Sequence, residues 1–195
     1  MQRKRTSGRI LGVLGAALAL SVGLNVALAV RASQQRDTVE AARISSRPFV
    51  GTRISGFDLT APNGERTRLE FSEQSKPTVV YSFRPGCLWC SRNHESVRAL
   101  YEQSNSSYRF VGLALDTDGL EEFLTQHPLP FDVYTNLDDA TVEAYQLAGT
   151  PRTVVIERDG TVTANWFGAY YGSVADEIES KLDVSLPRVD GEEHH

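Results

Sequence analysis

The sequence predicts a three-layer α/β domain with a central mixed β-sheet. Two observations predict this fold. From Phe49 onward, short β-rich apolar runs alternate with segments of helical periodicity, and the chain closes with a β-hairpin followed by a helix. The chain has 195 residues, 41% of them hydrophobic, which is enough for one such domain and an additional segment.

The predicted elements follow each other in a regular order. A hairpin that turns at Asn63-Gly64 comes first. Two buried strands follow, at residues 78–83 and 109–116, the first of them leading into a helix that carries Val97, Leu100 and Tyr101 on one face. The remaining predicted elements are a helix at DGLEEFLTQH, a short strand at PFDVYT, a helix at LDDATVEAYQL, a hairpin turning at Asp159-Gly160 and a last helix at SVADEIESKL.

The amino terminus predicts a membrane anchor. Residues 1–9 are basic, and residues 10–30 contain no charge, so that a helix over this run is about long enough to cross a hydrocarbon core of ~30 Å. The alternative is a cleaved signal peptide, for which Ala27-Leu28-Ala29 supplies a cleavage pattern. The uncharged run exceeds the usual length of a signal-peptide core, which favours an uncleaved anchor. In either case we expect the bulk of the chain to be exported.

This interpretation divides the chain into five parts. Residues 1–9 form a basic cytoplasmic tail, 10–30 the transmembrane signal anchor, 31–48 a polar linker, 49–187 the folded domain and 188–195 a C-terminal tail.

Charge and cysteine content exclude several classes of function. The formal net charge is -5, and an acidic chain argues against a nucleic-acid partner, since phosphate binding needs a cationic face. Two cysteines are too few for a disulfide-dense scaffold or for a four-thiolate zinc site.

Both cysteines lie in YSFRPGCLWCSRN, where Leu88 and Trp89 separate Cys87 from Cys90. Cys87 is predicted at the end of a buried strand and the start of a helix, where unpaired backbone N–H groups and the helix dipole favour a thiolate. Cys90 follows one turn later on the same side. Cys87 could therefore attack a disulfide and Cys90 could resolve the mixed disulfide.

A strand, a C-x-x-C, a helix and, about sixty residues later, AGTPRTVVIERDG together resemble the thioredoxin fold. With the N-terminal hairpin and GLALDTDGLEEFL, the chain resembles the membrane-anchored thiol–disulfide oxidoreductases of the TlpA/ResA type. The resemblance covers roughly residues 49–182. It implies a thioredoxin-like fold with an N-terminal β-hairpin extension, and a cis peptide bond at Thr150-Pro151 that faces Cys87.

The resemblance also implies a substrate groove shaped by Thr150 and Pro151. Where the family often has Trp before the first cysteine, this chain has Gly86, which either allows a partner's backbone to approach or makes the turn. The aromatic residue is instead Trp89, either a substrate contact or a packing residue.

Two further positions depart from the family pattern, and a histidine lies next to one of them. Asn93 replaces a Glu of ResA-like members, and Tyr81 stands where thioredoxins proper carry a buried Asp, so that no general base is evident. His94 is predicted on the exposed side of the first helix, without a role.

The leading hypothesis is an exported, membrane-tethered enzyme that exchanges disulfides with protein substrates. Cys87 is its nucleophile, Cys90 resolves, and no cofactor is needed beyond the redox-active disulfide Cys87–Cys90. The family suggests a reductase, for example in cytochrome c maturation. It would be fed by a membrane-embedded dithiol protein and located at the bacterial inner membrane, with the domain on the periplasmic or extracytoplasmic side.

Three alternatives remain open from the sequence. A peroxiredoxin-like peroxidase would need Pro-x-x-x-Thr-x-x-Cys, which the residues before Cys87 do not match. A Sco-like copper carrier could hold Cu(I) on the two thiolates, with His127 as a distant ligand. A structural disulfide in so small a ring would stabilise little.

Overall fold

The structure, a computed structural model, describes Ser21, Asn25 and residues 50–187, without the side chain of residue 144. The chain divides into two compact units, residues 1–46 and 47–195. The predicted basic tail, linker and C-terminal tail, and the predicted anchor except for Ser21 and Asn25, lie outside the described residues. Among the residues that are described, no helix has the length and hydropathy needed to cross a membrane.

Seven strands and five helices are described between residues 50 and 187. The strands are β1 (Phe57–Thr60), β2 (Arg66–Leu69), β3 (Thr78–Phe83), β4 (Arg109–Ala114), β5 (Val133–Tyr134), β6 (Arg152–Ile156) and β7 (Val162–Phe167). The helices are α1 (Leu88–Arg92), α2 (His94–Ser104), α3 (Leu120–Gln126), α4 (Asp139–Ala144) and α5 (Ser173–Leu182).

The central sheet is mixed, as the sequence predicts. Its strand order is β5-β4-β3-β6-β7, with β3, β4 and β5 parallel and β6 and β7 antiparallel to their neighbours. Strands β1 and β2 form a separate antiparallel hairpin that turns through Gly64 at φ +85°, a conformation glycine adopts readily. Strand β4 ends at Ala114, two residues before the predicted end.

Alternate residues of β3 serve two hydrophobic cores on opposite faces of the sheet. Val79, Tyr81 and Phe83 pack with side chains of α2 and α5, whereas Val80 packs with the β1–β2 hairpin and the segment around α4. All six residues of β3 are buried, and each fully buried large apolar side chain contributes about 1.5–3 kcal/mol. Strand β3 is therefore a rigid central support for the residues that follow it.

The segment after the cysteines forms two helices where the sequence suggests one. Asn93 ends α1 and precedes α2, with a ψ of -9° in place of the α-helical value near −42°. Its side chain is buried and accepts a hydrogen bond from the backbone of Tyr170, a tertiary contact that sequence periodicity cannot register.

The predicted helix around LDDATVEAYQL is shorter than expected, and the last helix matches its prediction. Asp138 caps α4 by accepting from the backbone N–H of Thr141 at 2.8 Å. Beyond α4, Gln146 has a φ of +49°, which ends the helical path. Helix α5 has the predicted bounds and ends where Asp183 adopts the left-handed conformation.

Candidate active site

The dithiol lies where β3 gives way to α1. Cys87 is the residue that caps α1, with an extended backbone, and its sulfur accepts a hydrogen bond from the backbone N–H of Cys90 at 3.3 Å. A capping side chain normally offers oxygen to one of the unpaired N–H groups of the first turn, and here a sulfur takes that place. The prediction that Cys87 stands at a strand-to-helix junction is confirmed.

The two sulfurs differ in exposure. Both cysteines are thiols, Cys87 is half-buried, and Cys90 is only 1% exposed. Burial, with a further contribution from the hydrogen bond to Cys87, raises the pKa of Cys90 to about 12. Cys87 is therefore the sulfur that another molecule can reach, whereas Cys90 is a buried, neutral thiol.

The Thr150-Pro151 loop lies against the dithiol. The Thr150-Pro151 bond is cis, as the family resemblance implies. The Cys87 thiol donates to the carbonyl oxygen of Thr150, with 3.7 Å between sulfur and oxygen. Arg84 fixes the same loop by donating to the carbonyl of Ala148 at 2.6 Å, and the backbone N–H of Gly168 donates to Pro151 at 2.9 Å.

Trp89 is packed against neighbouring side chains and is also partly exposed. Its side chain is 38% exposed, and its ring stacks on Tyr171 with 5.6 Å between centroids and 20° between planes. The guanidinium of Arg92 lies over the same ring, 5.2 Å from its centroid. Trp89 is thus packed on one face while part of its surface remains available at the mouth of the dithiol.

Close packing does not require a glycine at position 86. A Cβ atom added there would meet nothing within 4 Å, so the space beside its backbone is open. Gly149, in the opposite loop, is tightly enclosed, because a Cβ there would lie 2.6 Å from the ring of Phe167.

Exposed apolar side chains lie on the segments that meet at the dithiol: the Phe167 ring is next to Gly149, and Tyr171 stacks on Trp89. We call Leu88, Trp89, Phe167 and Tyr171 the rim; their exposed fractions are 60%, 38%, 52% and 46%. In the described residues the only other exposed large hydrophobic side chain is Val50. The sequence analysis missed Phe167 and Tyr171, and the aromatic residues of NWFGAYYG were the only available signal. Their place at the dithiol depends on the fold.

Neutral polar groups lie behind Cys90. Tyr81 and Asn93 are buried, and burial raises the pKa of Tyr81 well above its usual value. Tyr170 is buried beside them, and its hydroxyl shares a hydrogen bond with Thr153 at 2.6 Å. The positions at which relatives of the TlpA/ResA type or thioredoxins carry a carboxylate are thus filled by an amide and a phenol.

The two histidines of the domain form a pair of their own. The expectation that His94 lies on the exposed side of its helix is wrong. Its ring is half-buried and packs 5.3 Å from that of His127, which in turn packs against Phe123. The pKa of His94 is lowered by burial first and then by His127 and Arg98. Within residues 50–187 no group of three or more His, Cys, Asp or Glu side chains is placed to hold a metal ion.

Known proteins resemble this chain in sequence. A family model, Redoxin, matches residues 49–176. A thioredoxin-like protein of Haemophilus influenzae is 24% identical over 115 residues, which cover 57% of this chain and 67% of that protein.

Solved structures show the same fold. A secreted disulfide oxidoreductase of Mycobacterium tuberculosis, described as homologous to Escherichia coli DsbE, superposes with a TM-score of 0.52 at 23% identity, covering 65% of this chain and 94% of that one. A thiol:disulfide interchange protein from Bacteroides sp. gives a TM-score of 0.56 at 16% identity, covering 75% and 96%. With a family match over more than half of its length and a dithiol at the start of a helix, the chain belongs to the Redoxin family, has a thioredoxin-like fold and is an oxidoreductase of the thioredoxin type.

Proposed function

We propose that this protein is a membrane-tethered, extracytoplasmic thiol–disulfide oxidoreductase that exchanges disulfides with protein substrates. One observation chiefly supports this proposal: a reachable sulfur, Cys87, stands beside a buried one, Cys90, inside a rim of exposed apolar side chains. Exposed apolar surface concentrated at one place is typical of a site that receives another macromolecule.

The geometry supports a two-step exchange. The Cys87 thiolate attacks a substrate disulfide, forms one S–S bond with it and releases the first substrate thiolate. Cys90 then attacks the sulfur of Cys87, which breaks the mixed disulfide and releases the second substrate thiolate. Two electrons pass from the dithiol to the substrate, and the protein is left with the Cys87–Cys90 disulfide. No further cofactor takes part in this scheme.

The loop and the rim would position the substrate. The substrate's backbone would run along Thr150 and Pro151, next to the attacking sulfur, and its apolar side chains would contact Trp89 and Phe167. Gly86 leaves open space on the approach to Cys87. This assigns substrate binding to the four positions that the sequence analysis named, Gly86, Trp89, Thr150 and Pro151, and adds the rim aromatics.

We further propose the direction of electron flow and the location. The protein would act as a reductase, for example in cytochrome c maturation, and a membrane-embedded dithiol protein would return it to the reduced state. Residues 1–9 would form a cytoplasmic tail, 10–30 a signal anchor and 31–48 a linker. The domain at 49–187, followed by the tail at 188–195, would work on the periplasmic or extracytoplasmic face of the bacterial inner membrane.

Full-length protein in detergent provides the test of activity. We expect the wild type to accelerate the reduction of insulin disulfides by dithiothreitol and Cys87→Ser to give no rate above dithiothreitol alone. After removal of dithiothreitol, reduced Cys90→Ser should form a stable mixed disulfide with the substrate. The last two variants are matched, since each removes one sulfur from the same pair. Equal turnover by the wild type and Cys87→Ser would refute the proposal.

Two measurements test the finer points. The reduction potential decides the direction, because potentials of C-x-x-C proteins extend from about −270 mV for reductants to about −120 mV for strong oxidants. Fractionation of host cells, followed by external protease treatment of spheroplasts, tests the tether and its side. A domain that stays protected inside spheroplasts contradicts the proposed location.

A further inference from the structure

Two buried hydrogen-bond donors near Cys90 lack acceptors. Tyr81 is 2% exposed and Asn93 is 0% exposed. Neither the Tyr81 hydroxyl nor the Asn93 Nδ2 completes a hydrogen bond of ordinary geometry. Buried donors are nearly always paired, and an unpaired one carries a desolvation cost, so two together require an explanation.

The orientation of Asn93 is fixed by its other end. The backbone N–H of Tyr170 donates to Asn93 Oδ1 at 2.7 Å, and a backbone N–H can only donate. The oxygen of the amide is thereby assigned, and the NH₂ group is directed away from Tyr170. Burial and then the nearby Cys90 raise the pKa of Tyr81, and a hydrogen-bonding interaction with the Asn93 side chain lowers it. The NH₂ group therefore lies next to the Tyr81 hydroxyl, although the contact falls short of ordinary hydrogen-bond geometry.

Both donors lie in the surroundings of Cys90, which is among the groups that raise the pKa of Tyr81. Tyr81 and Cys90 belong to the same core cluster on one face of the sheet. Asn93 follows Cys90 at the i+3 spacing, which places both side chains on the same side of a helical turn. In the part of the chain that the structure describes, the groups that chiefly shift the pKa of Cys90 are Cys87, Arg84 and Thr150, and none of them is a carboxylate.

An acceptor appears at this place during the proposed reaction. In the resting dithiol, Cys90 is a neutral thiol that has little need of donors. When it attacks the mixed disulfide, negative charge develops on its sulfur in a buried environment. Donors already placed where charge develops stabilise a transition state without having to reorganise.

We propose that Tyr81 and Asn93 donate to the sulfur of Cys90 as it resolves the mixed disulfide. The inference rests on the proposed function. In this step the Cys90 sulfur bonds to the Cys87 sulfur, the bond from Cys87 to the substrate sulfur breaks, and the electron pair leaves with the substrate. The proton lost by Cys90 is taken up by the departing thiolate. The Cys90 sulfur is oxidised and the substrate sulfur is reduced, so the step balances without a buried base.

A chromogenic aromatic disulfide separates this step from the first one. Cys87 of the full-length reduced protein releases one aromatic thiol when it attacks the reagent, and Cys90 releases the second when it resolves. Tyr81→Phe loses only the hydroxyl, and we expect its first phase to be unchanged. Its second phase should be slower by about ten-fold or more, because that is the effect of losing one hydrogen bond to a charged atom. Asn93→Ala should slow the same phase, with thermal melting followed in parallel.

The control is Tyr101→Phe, which removes a hydroxyl from a half-buried tyrosine of α2 that packs against Phe110 in the same core cluster. It should leave both phases unchanged. A purely structural role for Tyr81 would disturb both phases and the melting temperature together. The inference is overturned if the second phase in Tyr81→Phe is as fast as in the wild type, or if the wild type itself shows no second phase. The reagent needs no protein substrate, so failure here is distinct from failure of Cys90→Ser to trap a substrate.

Discussion

The burial of Cys90 predicts a large loss of reactivity that can be measured on a single thiol. In Cys87→Ser, Cys90 is the only sulfhydryl of the chain. In the wild type, burial and then Cys87 raise the pKa of Cys90 from 9.0 to about 12. Burial, the larger cause, remains in Cys87→Ser, so the thiolate fraction falls by up to about 1,000-fold at any pH well below 9. The more basic thiolate is the better nucleophile, which recovers a factor of about 16–32 for a Brønsted slope of 0.4–0.5. The net expectation from ionisation is a reaction with an aromatic disulfide that is slower by up to about 30–60-fold in the folded than in the unfolded protein.

The assay compares the folded variant with the same variant in guanidinium, and then repeats the comparison over a range of pH. Since Cys90 is only 1% exposed, steric exclusion slows the folded protein further. The pH profile distinguishes the two causes. A thiol that is merely inaccessible would stop gaining rate near its ordinary pKa, whereas Cys90 should still be gaining rate at about pH 10. A ratio below about five, or an ordinary plateau, would show that the reasoning is wrong.

Other positions give sharp expectations. The pKa of His94 is lowered, so its contribution to stability is present above the ordinary value of 6.5 and is lost as the pH falls through the lowered pKa. Urea unfolding at about pH 7.5 and about pH 5 should therefore show a smaller decrease in the free energy of unfolding for His94→Gln than for the wild type. Trp89→Ala should lower kcat/KM for a protein disulfide about ten-fold and leave a small aromatic disulfide unaffected, and equal losses with both would contradict a role in binding. Gly56→Ala should cost about 1–3 kcal/mol in the free energy of unfolding, because the new Cβ would collide with the backbone carbonyl of Leu69. Its matched control, Gly86→Ala, has open space at the same point and should unfold like the wild type.

Local patterns were sufficient to predict the frame of the site. Strand β3 is an uninterrupted β-rich apolar run, which is typical of a strand covered on both faces. The C-x-x-C after it and the Gly-Thr-Pro before β6 have strong sequence signals, since each depends on neighbouring residues. The fold and the junction at Cys87 were therefore predictable from these patterns, whereas the approach of Thr150 was implied by the family resemblance.

Contacts between distant segments were not predictable from the same patterns. Tyr171 reaches Trp89 only because the turn after β7 returns to α1, and the break at Asn93 depends on the backbone of Tyr170. His94 was misjudged for a similar reason, because helical periodicity says nothing of the histidine that packs against it from α3. In each case the contacting residue lies many positions away in the sequence, and the periodicity of hydrophobic residues does not indicate which distant residues come into contact.

The asymmetry between the two sulfurs links these observations to mechanism. In the sequence, Cys87 and Cys90 belong to one motif, and only the order along the chain distinguishes them. In the fold, Cys87 is half-buried, whereas Cys90 is buried in the core. A partner can reach only the first sulfur, and an attack by the second becomes favourable only when a mixed disulfide has formed next to it. The order of the two steps would thus follow from burial, and exchanging the two environments should reverse it even if the C-x-x-C remained intact.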